Sequence, residues 1–186
     1  MQEDINAAIE VLKNDGIILY PTDTVWGIGC DATSKEAVSK IYAIKKREES
    51  KAMICLVADQ FMLEQYVEKV PDTAYDIIDF SEKPVTIIYD KPKNVAHNLI
   101  AQDNTLAIRV ASDKFCQRLI KSFKKPLVST SANIAGQPTP TSFVEIDLDI
   151  SGAVDYVAKS GRDSINKSAS TIIKLGNDGL VKIIRK

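Results

Sequence analysis

Residues 53–58, MICLVA, are apolar without a break, and this run decides the fold class. A strand with one wet face alternates apolar and polar residues. A continuous run this short reads as a strand covered on both faces. Helices must then lie on both sides of it. Upstream, TSKEAVSKIYAIKK (33–46) supplies one, with Val38, Ile41 and Tyr42 as its inner stripe and Thr33 and Glu36 at capping-box spacing. Downstream, residues 60–81 read as mostly helical, interrupted at Pro71.

The same alternation of patterns extends along the chain. Ile5, Ala8, Ile9 and Leu12 mark a helix over 3–14, with Gly16 expected as its C-cap. IILY (17–20) is a short buried strand ended by Pro21. VTIIYD (85–90), TLAIRVA (105–111) and PLVSTSAN (126–133) are further strands, the last leading into a polar loop. DKFCQRLIKSF is an amphipathic helix with Asp113 as N-cap. AVDYVA, STIIKL and GLVKIIR complete the set. No repeat, linker or low-complexity tract divides the chain. The reading is a single α/β domain over 1–186 with a mixed sheet.

At 186 residues the chain can build a core without disulfide staples. Cys30, Cys55 and Cys116 are scattered, with no CxxC pair, which argues against a disulfide framework or zinc site and fits a reducing cytoplasm. Cys55 lies inside the opening run and reads as a small core residue. No stretch approaches the roughly 18 apolar residues that span a bilayer, so no membrane association is expected. The formal net charge of −1 gives no global basic field, and a nucleic-acid role would need a local patch.

Covalent catalysis finds no support. His97 is the only histidine, in a loop-like stretch, and no nucleophile elbow accompanies it. Metal-ligand spacings, a Walker loop and a GxGxxG motif are also missing, so an anionic ligand would have to be held by side chains. IKKREESKAM (44–53) offers Lys45, Arg47 and Lys51. Arg109 points to the opposite face of its strand from Ile108 and Val110, either as a snorkelling edge residue or as an anion contact. Two hydroxyl-rich stretches, PTDTVWGIG (21–29) and VSTSANIAGQPTPTS (128–142), follow strands, where α/β folds place ligands. Turn chemistry accounts for either alone. Both together, with the cations, favour an anionic small-molecule site.

In this order, PTDTVWGIG, IYAIKKR…SK, LAIRV, STSAN…PTPTS and STIIKL…IIR resemble the YrdC-like threonylcarbamoyl-AMP synthases over roughly residues 5–185. The resemblance implies a twisted mixed α/β sheet, related to double-stranded-RNA-binding folds, with a deep, positively lined cavity. It implies condensation of L-threonine, bicarbonate and ATP, with Mg²⁺, into threonylcarbamoyl-AMP and pyrophosphate. The product serves tRNA through a separate threonylcarbamoyl transferase complex. By motif, Lys45 and Arg47 would contact the ATP phosphates and act in catalysis. Lys51, Thr105, Ser131, Asn133, Thr139 and Arg185 would be further nucleotide contacts. Thr24, Ser129 and Arg109 would hold threonine, with Ser170 or, by preference, Thr171 completing that pocket. No protein-held metal is expected, and the additional C-terminal domain of some relatives is expected to be missing.

The chain departs from the usual pattern at Trp26, where relatives commonly carry Tyr, and at Leu56, where some carry a histidine near threonine. SEKPVT lacks the usual Pro-Gly, and IRVAS lacks the usual proline. Two other readings stay open. One is an RNA-binding module that uses the same cations, with Trp26 or Tyr42 as stacking platforms. The other is a relative that forms a carbamoyl-adenylate from a different donor.

Overall fold

The structure is a computed structural model that describes residues 1–48, 53–164, 169–176 and 180–185. The helices are α1 (Gln2–Lys13), α2 (Lys35–Ile44), α3 (Gln60–Tyr66), α4 (Asp72–Phe80), α5 (Lys114–Phe123) and α6 (Leu148–Gly152). The strands are β1 (Ile18–Tyr20), β2 (Gly27–Asp31), β3 (Ile54–Val57), β4 (Val85–Asp90), β5 (Thr105–Val110), β6 (Leu127–Ser131), β7 (Tyr156–Val157), β8 (Thr171–Leu175) and β9 (Val181–Arg185). Among the described residues these nine form one sheet, ordered β7-β1-β2-β6-β3-β5-β4-β8-β9. It is mixed: β1–β7, β3–β5 and β4–β8 are parallel, and the remaining pairs are antiparallel.

The opening run behaves as expected. β3 sits in the interior of the sheet between β6 and β5, and Cys55, Leu56 and Val57 are fully buried. The expected break at Pro71 separates α3 from α4. Asp113 caps α5, its carboxylate accepting from Cys116 N at 2.8 Å. Cys30, Cys55 and Cys116 are buried free thiols.

Three local expectations change. The N-cap of α2 is Ser34, whose Oγ accepts from Ala37 N at 3.2 Å, while Thr33 turns its hydroxyl to Asp31 Oδ1 at 2.6 Å. The left-handed residue after α1 is Asp15 at φ 54°, not Gly16. β2, read from sequence only as part of a polar loop, is a strand. Its glycines hid it, and packing explains one of them. A Cβ on Gly29 would lie 2.6 Å from both the Tyr20 ring and the Val128 carbonyl.

Register aligns one face of the sheet across distant segments. Ser131 pairs with Gly27, and Ser129 pairs with both Gly29 and Ile54. Ile54 pairs with Ala107, so Arg109, two residues on, shares that face. Ala107 pairs with Ile88 and Ile88 with Lys174, which brings Ile172 and Ser170 to the same side. The candidate site lies on this face.

Candidate active site

A cavity of about 210 Å³ opens on this face. Three segments project a guanidinium into its lining: Arg47 after α2, Arg109 on β5 and Arg185 on β9. Thr22, Thr24, Ser129, Ser131, Thr139 and Ser170 complete the polar wall, and Thr130, whose side chain alternates to the other face of β6, also borders the cavity. Among the described residues the lining contains no carboxylate. The volume suits a ligand of amino-acid size and lies below the roughly 300–1,000 Å³ of a typical drug-sized pocket.

The Lys-Lys-Arg run shows how the chain delivers the first arginine. α2 ends at Lys45, and Lys46 takes the left-handed conformation at φ 49°. Lys46 N donates to Ala43 O at 3.1 Å and Arg47 N to Tyr42 O at 3.0 Å. This is the paired bonding of a Schellman turn. The turn parts the two flanking cations. Lys45 goes inward: it is 1% exposed, and its Nζ donates to Ser131 O at 2.5 Å and Asn133 O at 2.7 Å. Burial, then the nearby Arg47 charge, brings its ammonium down to about 8. Arg47 lines the cavity.

Asn133, expected as a nucleotide contact, shapes the loop instead. Its Nδ2 donates to Ile134 O at 3.0 Å and Gln137 O at 2.8 Å. Ala135 N donates back to Lys45 O at 3.0 Å. Lys45 and Asn133 therefore underpin the segment that carries Ser131 and Thr139 into the cavity, and neither lines it.

On the opposite wall Thr22 and Thr24 are tied together, their hydroxyls 3.0 Å apart. Thr22 Oγ1 also donates to Val25 O at 2.7 Å. Gly27 leaves the space beside them open, because a Cβ there would lie 3.0 Å from Ser129 Oγ and 3.3 Å from Thr22 Cγ2. Arg109 is 4% exposed and is ion-paired through Nη2 to Asp23 Oδ1 at 2.9 Å. Arg185 is held by the Ser170 carbonyl, at 2.8 Å from Nη2 and 3.2 Å from Nε. Burial and the Arg109 charge lower the Arg185 pKa from its ordinary value. Ser170 Oγ is 2.8 Å from Thr86 Oγ1, a fully buried hydroxyl on β4.

Of the residues expected from sequence, Arg47, Ser131, Thr139, Arg185, Thr24, Arg109 and Ser129 come together here. Thr171 does not. Strand alternation turns it away from the cavity, toward a shallow groove with Ile173 and Ile183, and Ser170 takes the place assigned to it. Thr105 shares the face of Arg109 but lies four residues down β5, outside the lining, with its hydroxyl bonded to Asp103 at 2.6 Å. Lys51 lies outside the described residues. Asp23, Gly27, Thr86 and Ser170 carry the site's geometry with little sequence signal. Asp23 and Gly27 stand in the PTDTVWGIG stretch, Ser170 is the alternative to Thr171, and Thr86 has no site signal in the sequence.

Trp26 is fully buried against Phe143, ring centroids 4.9 Å apart, and is not part of the cavity wall. Leu56 is buried and pairs with Arg109. His97 is exposed. Among the described residues no group of three or more His, Cys, Asp or Glu side chains could hold a metal ion. No described helix is long and apolar enough to cross a membrane.

Comparison with known proteins meets this geometry. The Sua5/YciO/YrdC family model, described as "Telomere recombination", matches residues 10–186. The chain is 39% identical to the threonylcarbamoyl-AMP synthase of Pseudoalteromonas translucida (strain TAC 125), over 83% of this chain and 84% of the relative. It is 34% identical to that of Serratia proteamaculans (strain 568), over 86% of each. Among solved structures, E. coli YciO superposes with a TM-score of 0.86 at 26% identity, covering 100% of this chain and 90% of that one. P. abyssi Sua5 complexed with L-threonine superposes at 0.84 with 28% identity, covering 92% of this chain. The chain spans 50% of the P. abyssi Sua5 chain. A match over nearly the whole length, with the same fold, places this chain in the Sua5/YciO/YrdC family.

Proposed function

We propose that the protein is an L-threonylcarbamoyl-AMP synthase, an enzyme that transfers the adenylyl group of ATP to a carbamate of L-threonine. The observation that carries this reading is the convergence of Arg47, Arg109 and Arg185 with six hydroxyl-bearing residues, Thr22, Thr24, Ser129, Ser131, Thr139 and Ser170, on one cavity. Relatives bearing that activity name, and a structural neighbour described with L-threonine, support it.

The chemistry asks for what the cavity contains. The threonine amine attacks bicarbonate-derived CO₂ to give a carbamate. A carbamate oxygen then attacks the α-phosphorus of ATP, forming the mixed anhydride and releasing pyrophosphate. No protein nucleophile takes part. The enzyme must hold two anions against one another, offset their charge and keep water from two labile species. Arg47, with Ser131 and Thr139, faces the triphosphate, and Arg185 supports it. Arg109 takes the amino-acid carboxylate, with Thr24, Ser129 and Ser170 around it. Mg²⁺ would enter with the substrate as MgATP. The product would pass to a cytoplasmic transferase complex acting on tRNA.

The RNA-binding reading loses its platforms, because Trp26 is 0% and Tyr42 4% exposed. The carbamoyl-adenylate alternative is decided by the same assay that tests the proposal. The protein is incubated with MgATP, bicarbonate and single amino acids or carbamoyl phosphate, and pyrophosphate is followed. Release that requires both threonine and bicarbonate is expected. Release with another donor instead, or none at all, overturns the assignment.

A further inference from the structure

Between two threonines that line the cavity, the chain turns a carboxylate away from it. Asp23 is not part of the lining. Its side chain is 6% exposed, and Oδ1 lies 2.9 Å from Nη2 of Arg109, itself 4% exposed. The other oxygen, Oδ2, accepts from the backbone N of Ser112 at 3.1 Å and from Ser112 Oγ at 2.8 Å. Asp23 therefore joins the β1–β2 connection to the β5–α5 connection, with Arg109 between them. Arg109 Nε and Asp23 Oδ1 are both buried without a hydrogen-bond partner, so the two residues meet as an ion pair and not through a hydrogen bond, although Arg109 lines the cavity.

This arrangement does two things to a guanidinium. It neutralises a charge that would otherwise be buried alone. It also draws one end of the guanidinium, Nη2, toward a carboxylate that Ser112 holds in place, which restricts the side chain before any ligand arrives. A flexible arginine would lose side-chain freedom on binding a carboxylate, and an anchored one has already lost it. The cost is competition, because the Asp23 charge opposes a second carboxylate at the same arginine. Such an arrangement trades raw affinity for geometry, which is what an in-line reaction between two bound substrates needs.

We infer that Asp23 is the positioning residue of the amino-acid subsite, fixing Arg109 so that its open edge meets the substrate carboxylate. This rests on the proposed synthase activity. It makes Thr-Asp-Thr (22–24) one unit: two threonines that line the cavity and one carboxylate behind the arginine.

The test is steady-state kinetics of Asp23→Asn in the pyrophosphate assay, varying threonine and ATP separately. KM for threonine is expected to rise about tenfold or more, with KM for ATP within about twofold of the parent. In an Arg109→Lys background, adding Asp23→Asn should change KM for threonine by less than about twofold, because the partner to be positioned is already altered. Should Asp23→Asn not fold, Ser112→Ala serves: Ser112 is exposed, and loss of its hydroxyl should raise KM for threonine by about two- to fivefold. An unchanged or lower KM for threonine in both variants overturns the inference. So does an equal rise for both substrates, or full multiplication of effects in the Arg109→Lys background. A parent protein with no threonine-dependent pyrophosphate release overturns the synthase reading, and this inference with it. An active parent with indifferent variants overturns the inference alone.

Discussion

The ammonium of Lys45 lies 2.7 Å from the carbonyl oxygen of Asn133, a residue 88 positions away in the chain. With the Ser131 carbonyl at 2.5 Å, it makes the lysine a strut beneath the loop that carries Ser131 and Thr139. Replacing Lys45 by Met keeps most of the volume but leaves the Asn133 carbonyl without a donor and the Ser131 carbonyl with Asn133 N alone, at 2.9 Å. ATP affinity is expected to fall about tenfold, and amide exchange over residues 131–137 to quicken. The parent also has a pH signature. In the folded protein the ammonium titrates near 8 instead of 10.5. Between those values the unfolded chain holds a proton that the folded one has released, so stability rises with pH across that window. In Lys45→Met this rise should vanish. Denaturant titrations at intervals from about pH 7 to 10 would show it, and parallel curves would refute the strut.

Arg47 separates from Lys45 by function, though only Lys46 stands between them. It lines the cavity, so Arg47→Ala should raise KM for ATP about tenfold or more by removing a charge-assisted contact to phosphate. The melting temperature should stay within a few degrees of the parent's, since a half-buried cation contributes little to stability. Isothermal titration with a non-hydrolysable ATP analogue checks the first expectation, and calorimetry the second. Undiminished nucleotide affinity would remove Arg47 from the site.

How much of this was legible depends on what sets each feature. The MICLVA run and the Asp113 cap follow from local pattern, and the sequence carries local pattern in full. The Lys-x-Arg spacing was legible as a unit. Its division into a strut and a cavity-lining arginine was not, because that rests on Lys46 adopting a conformation usually left to glycine. Thr171 and Ser170 were separable only by parity, which needs the register of β8 against β4. β2 is hidden by its glycines, of which Gly29 is demanded by Tyr20 and Val128 from other strands. Asp23 has no legible role in its own stretch, since its partner Arg109 is 86 residues further on.

Parity makes its own prediction. Ser170→Ala should raise KM for threonine several-fold, while Thr171→Ala should leave it within about twofold. Thr86→Val deletes the hydroxyl that Ser170 Oγ meets at 2.8 Å and should show a weaker effect of the same kind. Threonine kinetics on the three variants decide it. Sensitivity of Thr171 with indifference of Ser170 would reverse the assignment.

Gly27 predicts a steric cost without loss of fold. The added Cβ of Gly27→Ala would stand 3.0 Å from Ser129 Oγ and 3.3 Å from Thr22 Cγ2, both cavity residues. The φ there is not in the left-handed region, so alanine suits the backbone. KM for threonine should rise about tenfold, with serine, one methyl smaller, penalised less. A competition assay with the two amino acids reads the ratio. An unchanged ratio would place the methyl group elsewhere.

The last prediction concerns the far edge of the sheet, where α1 meets β7. Asp4 is 4% exposed and accepts from Lys159 N at 2.9 Å, Ser160 N at 2.6 Å, Ser160 Oγ at 2.5 Å and Tyr156 Oη at 2.5 Å. Burial alone would raise its pKa. The four donors outweigh burial and hold the carboxyl down to about 2, from an ordinary 3.8. A depressed carboxyl stabilises the fold above its unfolded value, and that contribution is lost as pH falls through the folded one. Asp4→Asn puts an amide nitrogen where one set of donors must be accepted. It should destabilise the protein by about 1–3 kcal/mol at neutral pH. The gap between parent and variant should hold down to about pH 4 and narrow from there toward pH 2. Urea unfolding of both proteins across that range measures it, and a gap independent of pH would mean that the Asp4 charge does not hold the 156–160 segment against α1.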